Sequence, residues 1–518
     1  MKSTKTLNEW ARNLSWLRWI SAALVILGGL CPAVAGAQGQ DQAQESALRQ
    51  FEQTMLITRD GKSHNLMTAL RHLKDPELKP YFEYIAGTPS PLHQIHGILG
   101  QAEISQDQTI NLLSVAELKQ AFVQGQIITA AMDSELVSDD QLSQLLEWPG
   151  LDIGVKMLIL TNRPALINKG NVDVLEEALK SELPARTGLA GLLLLQNADP
   201  RGLPELQKID ALSDANQRDP IRGELLRIAL NREFDTVRDW AFAIANQTGV
   251  DPKLKSLALL AALRFGHPQA QTLWIQSYQN ADNLVQKLDY AINALRVATF
   301  TQPGIYQFLA ANGEIDLIKK IGAAGASVSS NSADIADRIV ELIDMQHALV
   351  NGWAIKYANK YASPENAQLI LFSIIYAYPE AQPKNKLRRL EESVTAAQYL
   401  FELSPEMAYP FLRPLIEDPK TDPKLLRAVL LGILRSRTPG GSAFVDGIDS
   451  FGSGDGNALA LVLKARNGVE LSARELQDFA IIVRGGSDLQ DSLRMQAAWL
   501  YLKYTGMNMA DVMQSLKP

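Results

Sequence analysis

The chain has 518 residues, a formal charge of −7, 46% hydrophobic residues and a single cysteine, Cys31. This length exceeds what one hydrophobic core serves, so several packed units are expected. An acidic balance without a long basic run argues against nucleic-acid binding, and one cysteine excludes a disulfide framework or a thiolate metal site.

Residues 1–37 read as a secretory signal. Lys2, Lys5, Arg12 and Arg18 precede the apolar run Ile20–Leu30, and Ala35, Gly36 and Ala37 offer a small-residue cleavage site. The apolar run is shorter than the roughly 20 residues that span a bilayer. Cleavage rather than anchoring is expected, with no stable membrane insertion afterwards. Cleavage also removes Cys31, and an exported chain without thiols fits a bacterial periplasm. Residues 38–74 are a polar leader grading into helices, with a turn at Gly61, and are expected to form the N-terminal cap of a helical array.

From Asp75 a paired helical rhythm begins. Asp75 and Pro76 open one helix, and Ser90 and Pro91 turn the chain into the next. The clearest unit is Asp251–Gly266. Asp251 can accept from unpaired backbone N–H groups of the first turn, Pro252 suits the first helical position, and Gly266 suits the C-cap. Leu254, Leu257, Ala258, Ala261 and Phe265 fall on one face. Leu259, Leu260, Ala262 and Leu263 cover the other sides, so most of this helix is expected inside. The same opening recurs at Asp219–Arg222 and Asp422–Arg427, and looser copies start near Ser90, Ala121, Leu151, Leu183, Leu284, Pro364, Gly456 and Leu489. Successive starts lie about 30 to 36 residues apart, the period of a stacked repeat array. A more amphipathic helix precedes each apolar one, as in Pro268–Gln279, where Ala270, Leu273, Trp274 and Tyr278 make one stripe. No alternating strand pattern competes, so the expected class is all-α.

The Asp-Pro openings at Asp219, Asp251 and Asp422, each followed by an Ala/Leu-rich helix, resemble the short bacterial form of the HEAT-like repeat. The resemblance covers Asp75 to Leu502 and implies an α-solenoid of stacked antiparallel helix pairs. The rhythm breaks twice. Residues 300–334 contain Pro303, Gly304 and the small-residue run from Gly322 to Ser332, expected as a loop or hinge dividing an N-terminal array (75–325) from a C-terminal one (326–518). The second break is a Gly-rich loop at 438–457.

Candidate chemistry is sparse. Gly452, Gly454 and Gly456 before a helix could cradle a phosphate, but the lysine and preceding strand of a P-loop are missing and a linker accounts for them. Asp446, Asp449, Asp455 and Asn457 could ligate calcium, though not with the spacing of an EF-hand. His93 and His96 stand at i, i+3 on one helix, with His64 and His72 upstream, and are candidate metal ligands; no spacing fixes a third. Glu176–Glu177 and Glu391–Glu392 are expected on solvated faces, since adjacent residues diverge on a helix. The sequence therefore predicts no catalytic residues, no cofactor and no bound metal. The expected function is a non-enzymatic periplasmic scaffold for another envelope protein. The alternative is a metal-binding protein or metal-dependent enzyme using His93 and His96.

Overall fold

The computed structural model describes residues 31–56, 62–105, 107, 109–296, 303–330, 335–379, 381, 383–418, 420–436, 454–485 and 490–516. The expected signal peptide lies outside these residues except at its end (31–37), as does the Gly-rich loop except for 454–457. Among the described residues there are 28 α-helices, four short 3₁₀ turns and no strand, so the class is all-α. None of the described helices is long and apolar enough to cross a membrane.

Local signals explain several of the helix ends. Asp251 is the N-cap of the Pro252–Arg264 helix, its carboxylate accepting from the Lys253 and Leu254 amides at 2.9 and 3.2 Å. At the other end Gly266 takes φ +74°. There the Gly266 amide donates to the Leu263 carbonyl and the His267 amide to the Ala262 carbonyl, both at about 3 Å, which is a Schellman closure. Asp422 caps the Pro423–Arg435 helix in the same way, and Ser90 caps Pro91–Ile104. The buried face of Pro252–Arg264 comprises Leu254, Ala258, Leu259, Ala261, Ala262 and Leu263, whereas Leu257 and Leu260 are only half-buried.

Two expectations are corrected. Asp219 and Pro220 do not open a helix. The helix runs Ala215–Arg232, capped by Asp214 accepting from the Asn216 amide at 2.9 Å, with Pro220 inside it. An effective cap five residues upstream starts the helix first, and the proline then removes one internal hydrogen bond without ending it. The small-residue run is also no loop between Gly322 and Ser330. It belongs to the Asp316–Ser330 helix, which packs along Pro303–Asn312, so the expected array boundary at 325/326 falls inside a helix. Glycine here permits close approach. A Cβ on Gly322 would lie 2.7 Å from the Tyr306 carbonyl oxygen and 2.8 Å from the Leu309 carbonyl carbon, and one on Gly325 would overlap the Tyr306 ring.

The chain groups into two units: Lys74–Gly440, and the segment up to Leu73 together with that from Gly441 onward. Within Lys74–Gly440, helices meet their sequence neighbours, and many also meet the helix next but one. Pro91–Ile104 meets Ala121–Asp133, which meets Ile153–Asn162, which meets Pro184–Gln196, then Ala215–Arg232, then Pro252–Arg264. The same spacing links Ile335–Asp344 to Pro364–Tyr376, and Ala348–Lys360 to Lys386–Leu403.

In the other unit the two ends of the sequence share one core. The Cys31–Met55 and Lys62–His72 helices both pack on Asp491–Tyr504, and the first also packs on Ala473–Val483. Phe51 meets Trp499 edge-on, with ring centroids 6.1 Å apart. The Gln496 amide donates to the Ala69 carbonyl at 3.1 Å, the Ser46 hydroxyl to the Val483 carbonyl at 3.1 Å, and Lys62 pairs with Asp491 at 3.3 Å. Because Trp499 is fully buried and packs on Phe51 of the Cys31–Met55 helix, a fragment of residues 454–518 should remain unfolded alone. Adding a peptide of residues 38–73 should restore its helical circular dichroism. A fragment that folds without the peptide would contradict the shared core.

Candidate functional site

The functional candidates read from sequence lie on separate helices. His93 and His96 lie on Pro91–Ile104, and both are buried. That helix sits hard against Lys79–Ala86, where a Cβ on Gly97 would meet Ala86 backbone atoms at 2.6 Å or closer. His64 and His72 belong to the other unit, on Lys62–His72. No group of three or more His, Cys, Asp or Glu side chains able to hold a metal occurs among the described residues. Asp455 and Asn457 fall in the first turn of Gly454–Arg466, while Asp446 and Asp449 lie outside the described residues.

The Glu391–Glu392 expectation is corrected. Glu391 is exposed, but Glu392 is buried and sits in a cluster of polar side chains between Ala348–Lys360 and Lys386–Leu403. Burial of one member follows from the same helical divergence that argued for exposure of both: residues 100° apart face different surroundings. Glu392 Oε2 accepts from Asn351 Nδ2 at 2.6 Å and from Arg389 Nη1 at 3.1 Å. Its other oxygen lies 3.3 Å from Arg388 Nε. Arg389 is wholly inaccessible, and its second terminal nitrogen reaches the Ile343 carbonyl only at 3.5 Å. Arg389 Nε, Asn351 Oδ1 and His347 Nδ1 are buried without a hydrogen-bond partner. Among the described residues this cluster gathers the most buried and under-satisfied polar groups, the kind of environment in which functional groups concentrate.

Its chemistry is nevertheless committed inward. Ser393, the nearest hydroxyl in sequence, donates to the Arg389 carbonyl at 2.8 Å, so its proton is held by the backbone. Both oxygens of Glu392 face cations or amides. No nucleophile–base pair results, and the cluster ties helices together. Burial, and then the Arg388 charge, hold the His347 imidazole below its ordinary 6.5, with Asp289 opposing them. The folded state thus favours the neutral ring. Stability from this preference is complete above about pH 6.5 and is lost as the pH falls through the folded value. His347→Asn should therefore flatten part of the fall in urea midpoint between about pH 7 and about pH 5. The remainder should persist, because burial also lowers His267. An unchanged slope in the variant would rule His347 out as a source.

A second buried cation provides the contrast. Arg222 donates to Asp210 at 2.6 Å and to Gln247 at 3.3 Å, and lies 3.6 Å from Asp219. Asp210 also accepts from the Trp240 indole at 3.0 Å. Its carboxylate and amide partners surround the guanidinium, and the network joins three successive helices.

No family model, no curated protein and no solved structure matches this chain.

Proposed function

We propose that this protein is a non-enzymatic periplasmic scaffold of HEAT-like helix pairs, an α-solenoid that holds another envelope protein. The observation that supports the reading best is the packing rhythm of Lys74–Gly440, in which helices meet both adjacent and next-but-one helices. Such one-dimensional stacking builds extended surfaces with little chemistry of its own. The inward commitment of the polar clusters fits the same reading. So do the exposed apolar side chains at helix starts. Phe122, Val285 and Leu387 are each the second residue of a helix and are 69, 68 and 73% exposed.

The test begins with capture of partners from the protein's own periplasmic extract, followed by binding to the purified partner. Phe122→Ser, Val285→Ser and Leu387→Ser should each leave the melting temperature unchanged, and at least one should weaken binding on the order of tenfold, as loss of an apolar anchor does. A protein that captures no partner, or whose binding ignores all three changes, would count against this surface as the scaffold face.

A further inference from the structure

The helix Ala215–Arg232 ends on Glu233, whose φ of +60° and ψ of +42° are left-handed. Glycine fills the corresponding conformation after Pro252–Arg264, at Gly266. Four other non-glycine residues of this chain, Lys74, Glu135, Ala198 and Gln346, share this conformation, at a cost of roughly 1 kcal/mol each relative to glycine. What sets Glu233 apart is the set of partners its carboxylate meets. One oxygen, Oε1, accepts from Arg264 Nη2 at 3.1 Å, Lys360 Nζ at 3.1 Å and the Tyr361 hydroxyl at 3.2 Å.

These donors come from far along the chain. Arg264 ends the Pro252–Arg264 helix, while Lys360 ends Ala348–Lys360 and Tyr361 is its C-cap. Lys360 and Tyr361 lie 127 and 128 residues beyond Glu233, within the same unit. Tyr361 is the outer end of an aromatic row, with Tyr357 at 6.2 Å and Trp353 a further 5.5 Å in. The two inner rings are buried, so the donor pair is mounted on a packed support. Beside Glu233, Arg232 donates to the side chain of Asn162, the last residue of Ile153–Asn162. The C-terminal ends of four helices thus meet here, and Arg232, Arg264 and Lys360 supply positive charge where four sets of terminal carbonyls converge. Burial pushes the Glu233 carboxyl up. The hydrogen bond from Lys360, with the Lys360 and Arg264 charges and the Tyr361 hydroxyl, outweighs that and holds it below the usual range.

We propose that Glu233 is a releasable clamp that holds the end of Ala348–Lys360 against the ends of Ala215–Arg232 and Pro252–Arg264. It sets how closely this part of the unit draws together. The carboxylate, Lys360 and Tyr361 are all partly exposed, so the clamp is open to screening by salt and to competition by another carboxylate.

Hydrogen exchange read by mass spectrometry on the full chain tests this, comparing wild type with Glu233→Gln and Glu233→Gly. The glutamine removes the charge alone. The glycine removes the side chain and relaxes the backbone, so its own helix end should not loosen. Both should raise exchange in the last turn of Ala348–Lys360 on the order of tenfold at low salt. At about 1 M salt, where screening acts over roughly 3 Å, wild type should approach the variants. Changes confined to residues beside 233, or a wild-type pattern indifferent to salt while Glu233→Gln stays protected at 348–360, would overturn the clamp.

Discussion

Replacing Gly322 with alanine should destabilise the protein by about 2–3 kcal/mol, while the same replacement at Gly352 should stabilise it by about 0.5–1 kcal/mol. Both glycines lie inside helices, so alanine brings each the same gain in intrinsic helix preference. Their surroundings decide the sign. A Cβ at Gly352 meets nothing within 4 Å. A Cβ at Gly322 meets the Ala310 nitrogen, the Tyr306 carbonyl oxygen and the Leu309 carbonyl carbon, all of them backbone atoms of the Pro303–Asn312 helix. Backbone cannot rotate out of the way as a side chain can, so the two helices must separate. That separation would disturb Tyr306, whose hydroxyl donates to the Ala294 carbonyl at 2.9 Å. Denaturant midpoints of the two variants, measured together, check this. If Gly322→Ala is neutral or stabilising, the small-residue stretch is a loosely placed helix after all.

Removing Glu392 should be the second severe change, at about 3–5 kcal/mol for Glu392→Leu. It leaves Arg389 wholly buried with one long bond to a carbonyl, and burial already works against its charge. A guanidinium cannot escape by losing its proton at any working pH. Arg389→Leu should be milder, because Glu392 keeps Asn351 at 2.6 Å and Arg388 at 3.3 Å. The double variant Arg389→Leu with Glu392→Leu should recover a large part of the loss, since two apolar side chains then replace an ion pair that had to be desolvated. A double-mutant cycle on denaturant stability measures the coupling directly. If the double variant is as unstable as the sum of the singles, the charges are not partners in the sense described.

Much of the helical framework was legible because its causes are local. Asp251 and Ser90 accept from amides two or three residues away, and Gly266 closes its helix through bonds spanning five residues or fewer. Where the sequence reading failed, two local signals competed or a local one was overruled. Asp214 and Asp219 both precede plausible helices, and only the earlier cap is used. The run from Gly322 to Ser330 has the composition of a linker, yet the same small side chains let two helices touch. Of the stripe expected on Asp251–Gly266, Leu254, Ala258 and Ala261 are buried while Leu257 and Phe265 are half-buried, and Leu259, Ala262 and Leu263 on the other sides are buried as well.

By itself, then, the sequence determined that this is an all-helical chain, where several of its helices start, and that few of its residues suggest chemistry. These are matters of backbone hydrogen bonds within one turn and of apolar periodicity along one helix. Only the tertiary structure decided that the Cys31–Met55 and Lys62–His72 helices share a core with Ala473–Val483 and Asp491–Tyr504, that Glu392 is buried while Glu391 is not, and that Glu233 meets Lys360. Each of these depends on which distant helix arrives at a given face. A carboxylate in a sequence carries the same charge whether it meets water or an ammonium group 127 residues away.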